Sequence, residues 1–509
     1  MEFYLPKKPV NKLSVTKKTN SLASVIWSVL SRWGSKLIGM ITTIFLARLL
    51  TPSDFGIIAI AMLAIGLLDA FTQAGLNLYL LRIKEKQRYM YDTVWTVGIF
   101  QGLLISLPLV IFAPTIAEFY DQENLQSVIY CLAAIRLLQS FSNVGLLIAQ
   151  KHLNFKLDFV VTVYSRMLYF IVTVSLAFYL HSYWAIVFGH FANVLAIVIL
   201  SFVLHEYRPK IRLTGWQDIF RYSKSTVPLS IGRYFNNQGD SLVVGRVAST
   251  DFLGIYNVSM NLASMFTKEL LIPVIRGLLP NLSILRTDPN FTHQLTLVFS
   301  LSIYIFLPVG VGLSLVSKEF ILVFLGEQWI EAIPLMFWFS LYAMLGGILM
   351  FFSEQFLVIL EKETLSNNLM WFRNLMLLLA IIITLCFYDV QTLPKHLFFA
   401  ISASFPIVLF ILSRTLELSL LQILRGWIRP ICAVIVMYVM LQSFPILQFP
   451  ILTILVLKVL TGLFVYMLTL TLLYKLFGNQ QASVESVLYN RFIGDRIPNN
   501  SKTSSNKGR

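Results

Sequence analysis

Residues 24–50 read SVIWSVLSRWGSKLIGMITTIFLARLL. A helix crosses the hydrocarbon core with about 20 apolar residues, so this stretch is long enough. Yet Arg32 and Lys36 stand four residues apart, one turn, on a single helical face. A cation in hydrocarbon costs about 2.5 to 3.5 kcal/mol on insertion scales. The pair therefore predicts a helix with one face on lipid and the other on something wet or anionic. The competing reading is that both cations snorkel to headgroups at the inner end. That suits Arg32 better than Lys36, which lies one turn deeper.

The rest of the chain repeats the pattern. It has 509 residues, is 57% hydrophobic and only 13% charged, with a mean hydropathy of +0.74. A water-soluble protein of this size carries about twice that charge. Apolar runs are expected at 22–50, 55–80, 93–117, 124–149, 159–180, 183–204, 221–247, 252–279, 295–317, 332–359, 366–388, 396–418, 427–443 and 450–476. The expected fold is thus an all-α polytopic membrane protein with about 14 transmembrane helices. The first run is too long, and lacks the cleavage site, for a removable signal peptide. The net charge of +15 is read as cations gathered on the cytoplasmic side rather than as nucleic-acid binding, because no basic stretch alternates with aromatics on a soluble domain. Cys131, Cys386 and Cys432 lie in apolar runs and suggest no disulfide framework. The six histidines are scattered without ligand spacing, so neither a metal nor a cofactor is expected.

Loop charges test the count. From an inside N-terminus, the inner loops carry seventeen cations, while the outer ends hold Arg48, Arg246, Lys318 and Lys395. That asymmetry predicts both termini in the cytoplasm. Every outer loop is short; the longest, near 317–331, has room for one brief amphipathic segment. The chain end after Gly478 lacks apolar periodicity and reads as a disordered tail.

An internal duplication is visible. ARLLTPSDFGIIAIAMLA at 47–64 matches GRVASTDFLGIYNVSMNLA at 245–263 with small gaps. Arg48 answers Arg246, Asp54 answers Asp251, and Gly56-Ile57 answers Gly254-Ile255. Six spans separate the copies, so both run outward as a parallel repeat. The expected organisation is a segment 1–21, a six-helix bundle 22–204, a linker 205–220, a second six-helix bundle 221–418, two added helices 419–478 and the tail 479–509. The first helices of each half would line a cleft between the two pseudo-symmetric bundles. Arg48, Arg246, Asp54 and Asp251 read as caps of the outer turns.

Polar residues inside the spans supply the candidate site. Arg233, Asn237 and Asp240 form one stripe of the seventh span; its plainer reading is mutual neutralisation of Arg233 and Asp240. Asn257, Asn261, Ser264 and Lys268 form a ladder on the eighth, and interhelix hydrogen bonding explains such a ladder equally well. Asp69 and Gln73 lie deep in the second span, and Arg136, Gln139, Ser140 and Asn143 in the fourth. Glu354 and Arg373 fit a structural ion pair. Arg166 and Lys458 read as snorkelling residues. The cations Arg32, Lys36, Arg136, Arg233 and Lys268, with Asn237, Asn257 and Asn261, are the expected contacts of an anionic ligand such as a diphosphate. Asp69, Asp240, Glu354 and Arg373 would balance charge or carry a coupling proton or sodium ion. No Walker loop, hydrolytic triad or outer carboxylate cluster appears, so an enzyme is not expected.

LARLLTPSDFG at 46–56, QAGLNLYLLRIKEKQ at 73–87 and QKHLNFKLDF at 150–159 resemble the signatures of Wzx-type polysaccharide flippases. That family shares a superfamily with lipid II flippases and MATE drug exporters. The resemblance is good over roughly the first 280 residues and is hydropathic beyond. It implies two six-helix bundles, often with two extra helices. It also implies transfer of an undecaprenyl-diphosphate-linked oligosaccharide from the inner to the outer leaflet of the cytoplasmic membrane. The alternatives are a drug or metabolite exporter of the same superfamily, or a membrane polysaccharide polymerase or ligase.

Overall fold

A computed structural model describes residues 21–72, 80, 88–152, 154–269, 291–357, 360–444 and 449–476. The N-terminal segment before Ser21, Gln73, the end of the eighth span from 270, the side chain of Glu354 and the chain from 477 onward lie outside the described residues. The regular structure is helical: α1 (Ser21–Leu49), α2 (Pro52–Thr72), α3 (Arg88–Phe119), α4 (Asn124–Ser140), α5 (Gly145–Lys151), α6 (Phe155–Leu180), α7 (Trp184–Val203) and α8 (Trp216–Val247). Then come α9 (Thr250–Ser264), α10 (Phe291–Leu315), α11 (Ser317–Phe324), α12 (Ala332–Met350), α13 (Glu363–Phe387), α14 (Leu393–Thr415), α15 (Leu420–Gln442) and α16 (Ile451–Leu476).

Among the described residues ten helices are long and apolar enough to cross a membrane, or eleven if α4 and α5, bent by 57°, make one span. The expected count of fourteen requires α1, α8 and α9 as well. α1 and α8 fall short in apolarity because they carry polar stripes, and α9 spans only the 15 residues Thr250–Ser264 before its π-helical turn.

The fourth span was expected as a single helix over 124–149. It breaks because Asn143 offers its backbone better partners than a helix does. Asn143 Oδ1 accepts from the Gly145 amide at 2.8 Å, its Nδ2 donates to the Tyr207 carbonyl at 2.7 Å, and its own amide donates to Ser201 Oγ at 2.9 Å. Short polar side chains compete with the helix in this way.

The two halves pack in the same order. In the first, α1 lies on α6, α6 on α7, α7 on α4 and α4 on α3. In the second, α8 lies on α13, α13 on α14, α14 on α12 and α12 on α10. Helices α2 and α9 occupy matching places beside α4 and α12, and they meet each other at the centre. There the duplicated glycines do reciprocal work. A Cβ on Gly56 would overlap the Thr250 carbonyl oxygen, and one on Gly254 would overlap that of Pro52. Backbones approach this closely only where Cβ is missing.

Arg48 and Arg246 depart from the expected capping of their own helices. Arg48 reaches across to the second half and donates to the carbonyls of Leu322, Val323 and Phe324 at the end of α11. Arg246 reaches the other way to Asp121 in the α3–α4 turn at 3.2 Å and lies over Phe119. Fully buried Trp329 donates to the Ala47 carbonyl at 2.8 Å and meets Phe55 edge-on. Asp54 does serve its own helix start, accepting from the Thr51 amide at 2.9 Å, whereas Ser249 rather than Asp251 caps α9. One end of the molecule is therefore shut by backbone contact and two crossed arginines.

The last two helices join the second half: α15 packs on α10, and α16 on α15 and α11. Lys458, expected to snorkel, instead pairs with Glu319 of α11 at 2.6 Å. Gly56→Val and Gly254→Val each force the two helices apart. Each is expected to cost roughly 1–3 kcal/mol by overpacking, read as a lower melting temperature of the detergent-purified protein. Gly39→Val, where a Cβ meets nothing within 4 Å, is the matched control.

Candidate functional site

Between the halves lie two adjoining compartments of about 680 and 560 Å³. Asn237, Gln238, Asn257 and Asn261 line both, which makes them one continuous cavity between α8 and α9 on one side and α1, α2 and α6 on the other.

The larger compartment is basic. Arg32 and Lys36 stand exposed on its α1 wall, and Lys268 enters from the π-helical turn Met265–Glu269 that follows α9. Lys268 gets there along a glycine track: a Cβ on Gly346 of α12 would lie 3.1 Å from Lys268 Cε and 3.3 Å from its Nζ. Its ammonium sits 5.2 Å from the centre of the Tyr342 ring, a cation–π contact. The smaller compartment contains Arg233 and Asp69, and the Tyr234 hydroxyl at its edge donates to the Leu63 carbonyl at 2.7 Å. The four cations of α1, α8 and the α9 extension thus share one chamber, together with Asn237, Asn257 and Asn261.

The other candidates fall elsewhere. Arg136 stands behind the wall, donating to Asp69 Oδ1 from Nε at 2.9 Å and from Nη2 at 2.8 Å. Asp240 leaves the stripe it shares with Arg233. Its Oδ2 accepts from the Tyr256 hydroxyl at 2.7 Å and its Oδ1 from the Ser241 amide at 2.9 Å, inside the second half. Arg373 is buried on α13 and borders a small niche with Lys268, Tyr342 and Asn236. Asn236 itself bridges to Asn374 of α13 at 2.8 Å.

One wall residue escaped the reading of the sequence. Asp158 of α6 lines the basic compartment beside Arg32 and Lys36. It accepts from Ser31 Oγ at 3.2 Å and from Gln150 Nε2 at 2.8 Å. In sequence it is an ordinary first-turn acid just before the fifth expected span, and no local signal sets it apart. Among the described residues no group of three or more His, Cys, Asp or Glu side chains can hold a metal ion.

Residues 45–334, more than half of the chain, match the polysaccharide biosynthesis protein family. The chain belongs to that family. Among its relatives, the "Uncharacterized membrane protein in cps region" of Klebsiella pneumoniae is 26% identical over 62% of this chain and 67% of its own length. The "Succinoglycan biosynthesis transport protein ExoT" of Rhizobium meliloti (strain 1021) is 24% identical over 67% and 68%. The "Lipopolysaccharide biosynthesis protein WzxC" of Escherichia coli (strain K12) is 22% identical over 64% and 66%. Of solved structures, "Lipid II flippase MurJ, inward closed conformation" superposes with a TM-score of 0.70 over 89% of this chain and 99% of that one, at 15% identity. The MATE multidrug transporter DinF-BH gives 0.54 over 80% and 98%, also at 15% identity. These likenesses fix the fold of this family member as the one shared by MurJ and the MATE transporters.

The Arg136–Asp69 pair yields a sharp expectation. Arg136→Met and Asp69→Leu alone each strand a half-buried charge and are expected to destabilise by about 3 kcal/mol. The double variant recovers most of that loss, as a double-mutant cycle on thermal unfolding would register.

Proposed function

We propose that this protein is a flippase that moves a polyprenyl-diphosphate-linked oligosaccharide from the inner to the outer leaflet of the cytoplasmic membrane. The observation that carries the proposal is the convergence of Arg32, Lys36, Arg233 and Lys268 on one cavity between the halves. A diphosphate brings at least two negative charges, and arginine offers forked hydrogen bonds to it. Asn237, Gln238, Asn257 and Asn261 supply neutral donors and acceptors of the kind that suit sugar hydroxyls. Relatives named for succinoglycan transport and lipopolysaccharide biosynthesis support the same substrate class.

The loop charges support an orientation with both termini cytoplasmic, the glycine contact outside and the basic compartment facing inward. In that state the headgroup enters among the cations while the isoprenoid tail stays in the bilayer. Separation of Gly56 from Gly254, with release of Arg48 and Arg246, would open the outer side. Asp69, Asp158, Asp240 and Glu354 are the acids available to balance charge between cycles or to exchange a proton or sodium ion. Arg136 and Arg373 then act as positioning partners. This is transport without covalent chemistry, driven by an ion gradient, the membrane potential or consumption of the product.

An exporter of cationic drugs is disfavoured by the sign of the cavity, which presents more cations than acids. A polymerase or ligase is disfavoured by short outer connections. The test is surface glycan in a strain lacking its own copy of the gene. Arg32→Ala, Lys36→Ala and Arg233→Ala are expected to lower glycan export roughly tenfold each, and the triple variant to abolish it with membrane abundance unchanged. Full export by the triple variant, or cation-drug resistance conferred by the wild type, would overturn the reading.

A further inference from the structure

Residues 205–220 were expected to be a cytoplasmic linker; 216–220 instead open α8, and the connection between the halves is 204–215. It is extended but not slack. The buried carboxylate of Asp92 accepts from the Tyr207 hydroxyl at 2.6 Å and the Lys210 amide at 3.0 Å. Thr96 Oγ1 accepts from the Arg212 amide at 2.9 Å, and Thr93 Oγ1 donates to the Thr214 carbonyl at 2.8 Å. Asn143 holds the Tyr207 carbonyl from the other side. His205 Nδ1 accepts from the Tyr207 amide at 3.0 Å, and burial pushes the pKa of that imidazole down. Two reciprocal cation–π contacts clasp this strap to the first turn of α3: Arg88 lies over Tyr207, and Arg212 over Tyr89, each at 5.8 Å.

Pinning the backbone leaves the side chains with a fixed outward pattern. Extended chain alternates its faces, and Lys210 and Arg212 alternate with Ile211 and Leu213, which are 82% and 46% exposed. At the start of α8 Trp216 and Phe220 project outward, 47% and 63% exposed, while Ile219 turns in to pack with Val94 and Val144. Arg208, Lys210, Arg212 and Arg221 face two acids, Glu206 and Asp218, in this segment, and exposed Arg88 adds a fifth cation. Strap and α8 start together show cations beside large apolar and aromatic side chains, at the mouths of membrane-spanning helices. In water those side chains would be a liability. At the edge of a bilayer they have a partner: the apolar ones dip below the headgroups while the cations meet phosphate.

We infer that residues 204–221 are an interfacial anchor that binds anionic phospholipid headgroups, with Lys210, Arg212 and Arg88 as the phosphate contacts and Ile211, Leu213, Trp216 and Phe220 as the apolar wedge. The anchor ties the first half to the membrane plane. It is independent of what the central cavity carries, and its residues lie outside that cavity.

The test titrates full-length protein in neutral detergent with short-chain phosphatidylglycerol or phosphatidylcholine. The readouts are the melting temperature and the lipid adducts seen by native mass spectrometry. Phosphatidylglycerol is expected to stabilise the wild type, more weakly at high salt, and phosphatidylcholine is not. Lys210→Gln/Arg212→Gln is expected to bind phosphatidylglycerol about 30-fold more weakly. Lys210→Arg/Arg212→Lys keeps the charge and is expected to keep the response, which separates lost binding from a damaged strap. Equal stabilisation by both lipids, or an unchanged response in the Gln variant, would overturn the inference.

Discussion

The backbone of α2 touches the backbone of α9 through Gly56 and Gly254, and the rest of the architecture follows from that contact. The cavity between the halves is lined along α2 from Phe55 to Ala70 and along α9 from Asn257 to Asn261, beside this contact. Each glycine faces the first turn of the opposite helix, so the contact has the self-complementary form of a two-fold interface made within one chain. Arg48 and Arg246 repeat the relation, each crossing to the opposite half.

The cavity resolves the cost of charge in the membrane. Hydrocarbon satisfies neither a guanidinium nor a backbone polar group. Helices α1, α8 and α9 carry such groups and turn several of them to the cavity, while α1 keeps Ile26, Leu30, Ile41 and Phe45 on its exposed face. Lys268 illustrates the arrangement. Its shaft runs along Gly346 and its ammonium rests on the Tyr342 face at the wall of the chamber. Other cations are engaged by acids: Arg136 by Asp69, and Lys458 by Glu319, which fastens α16 to α11.

The linker shows a related division of labour. Asp92, Thr93 and Thr96 look in sequence like polar residues at the start of a span. In the fold they are the fixtures of a strap more than one hundred residues further along the chain. Nothing in local spacing encodes such a partner, because the contact is made only when α3 and the strap are brought together. The break at Asn143 is of the same kind. Its helix continues in the hydropathy pattern and stops in the molecule, since Ser201 and Tyr207 arrive from elsewhere to take its hydrogen bonds.

Hydropathy and helical periodicity are local properties, and they determined the membrane class, the apolar spans and the duplication that pairs Gly56 with Gly254. They also picked out Arg32, Lys36, Arg233 and Lys268, because a charge among apolar residues is conspicuous wherever it points. Tertiary structure alone decided which polar groups share the chamber. It turned Asp240 inward to Tyr256, set Arg136 behind Asp69, brought Asp158 beside Arg32 and sent Arg48 across the interface. A helical stripe fixes the direction of a side chain relative to its own axis, but the azimuth and depth of that axis among its neighbours come from packing, and packing chooses the partner.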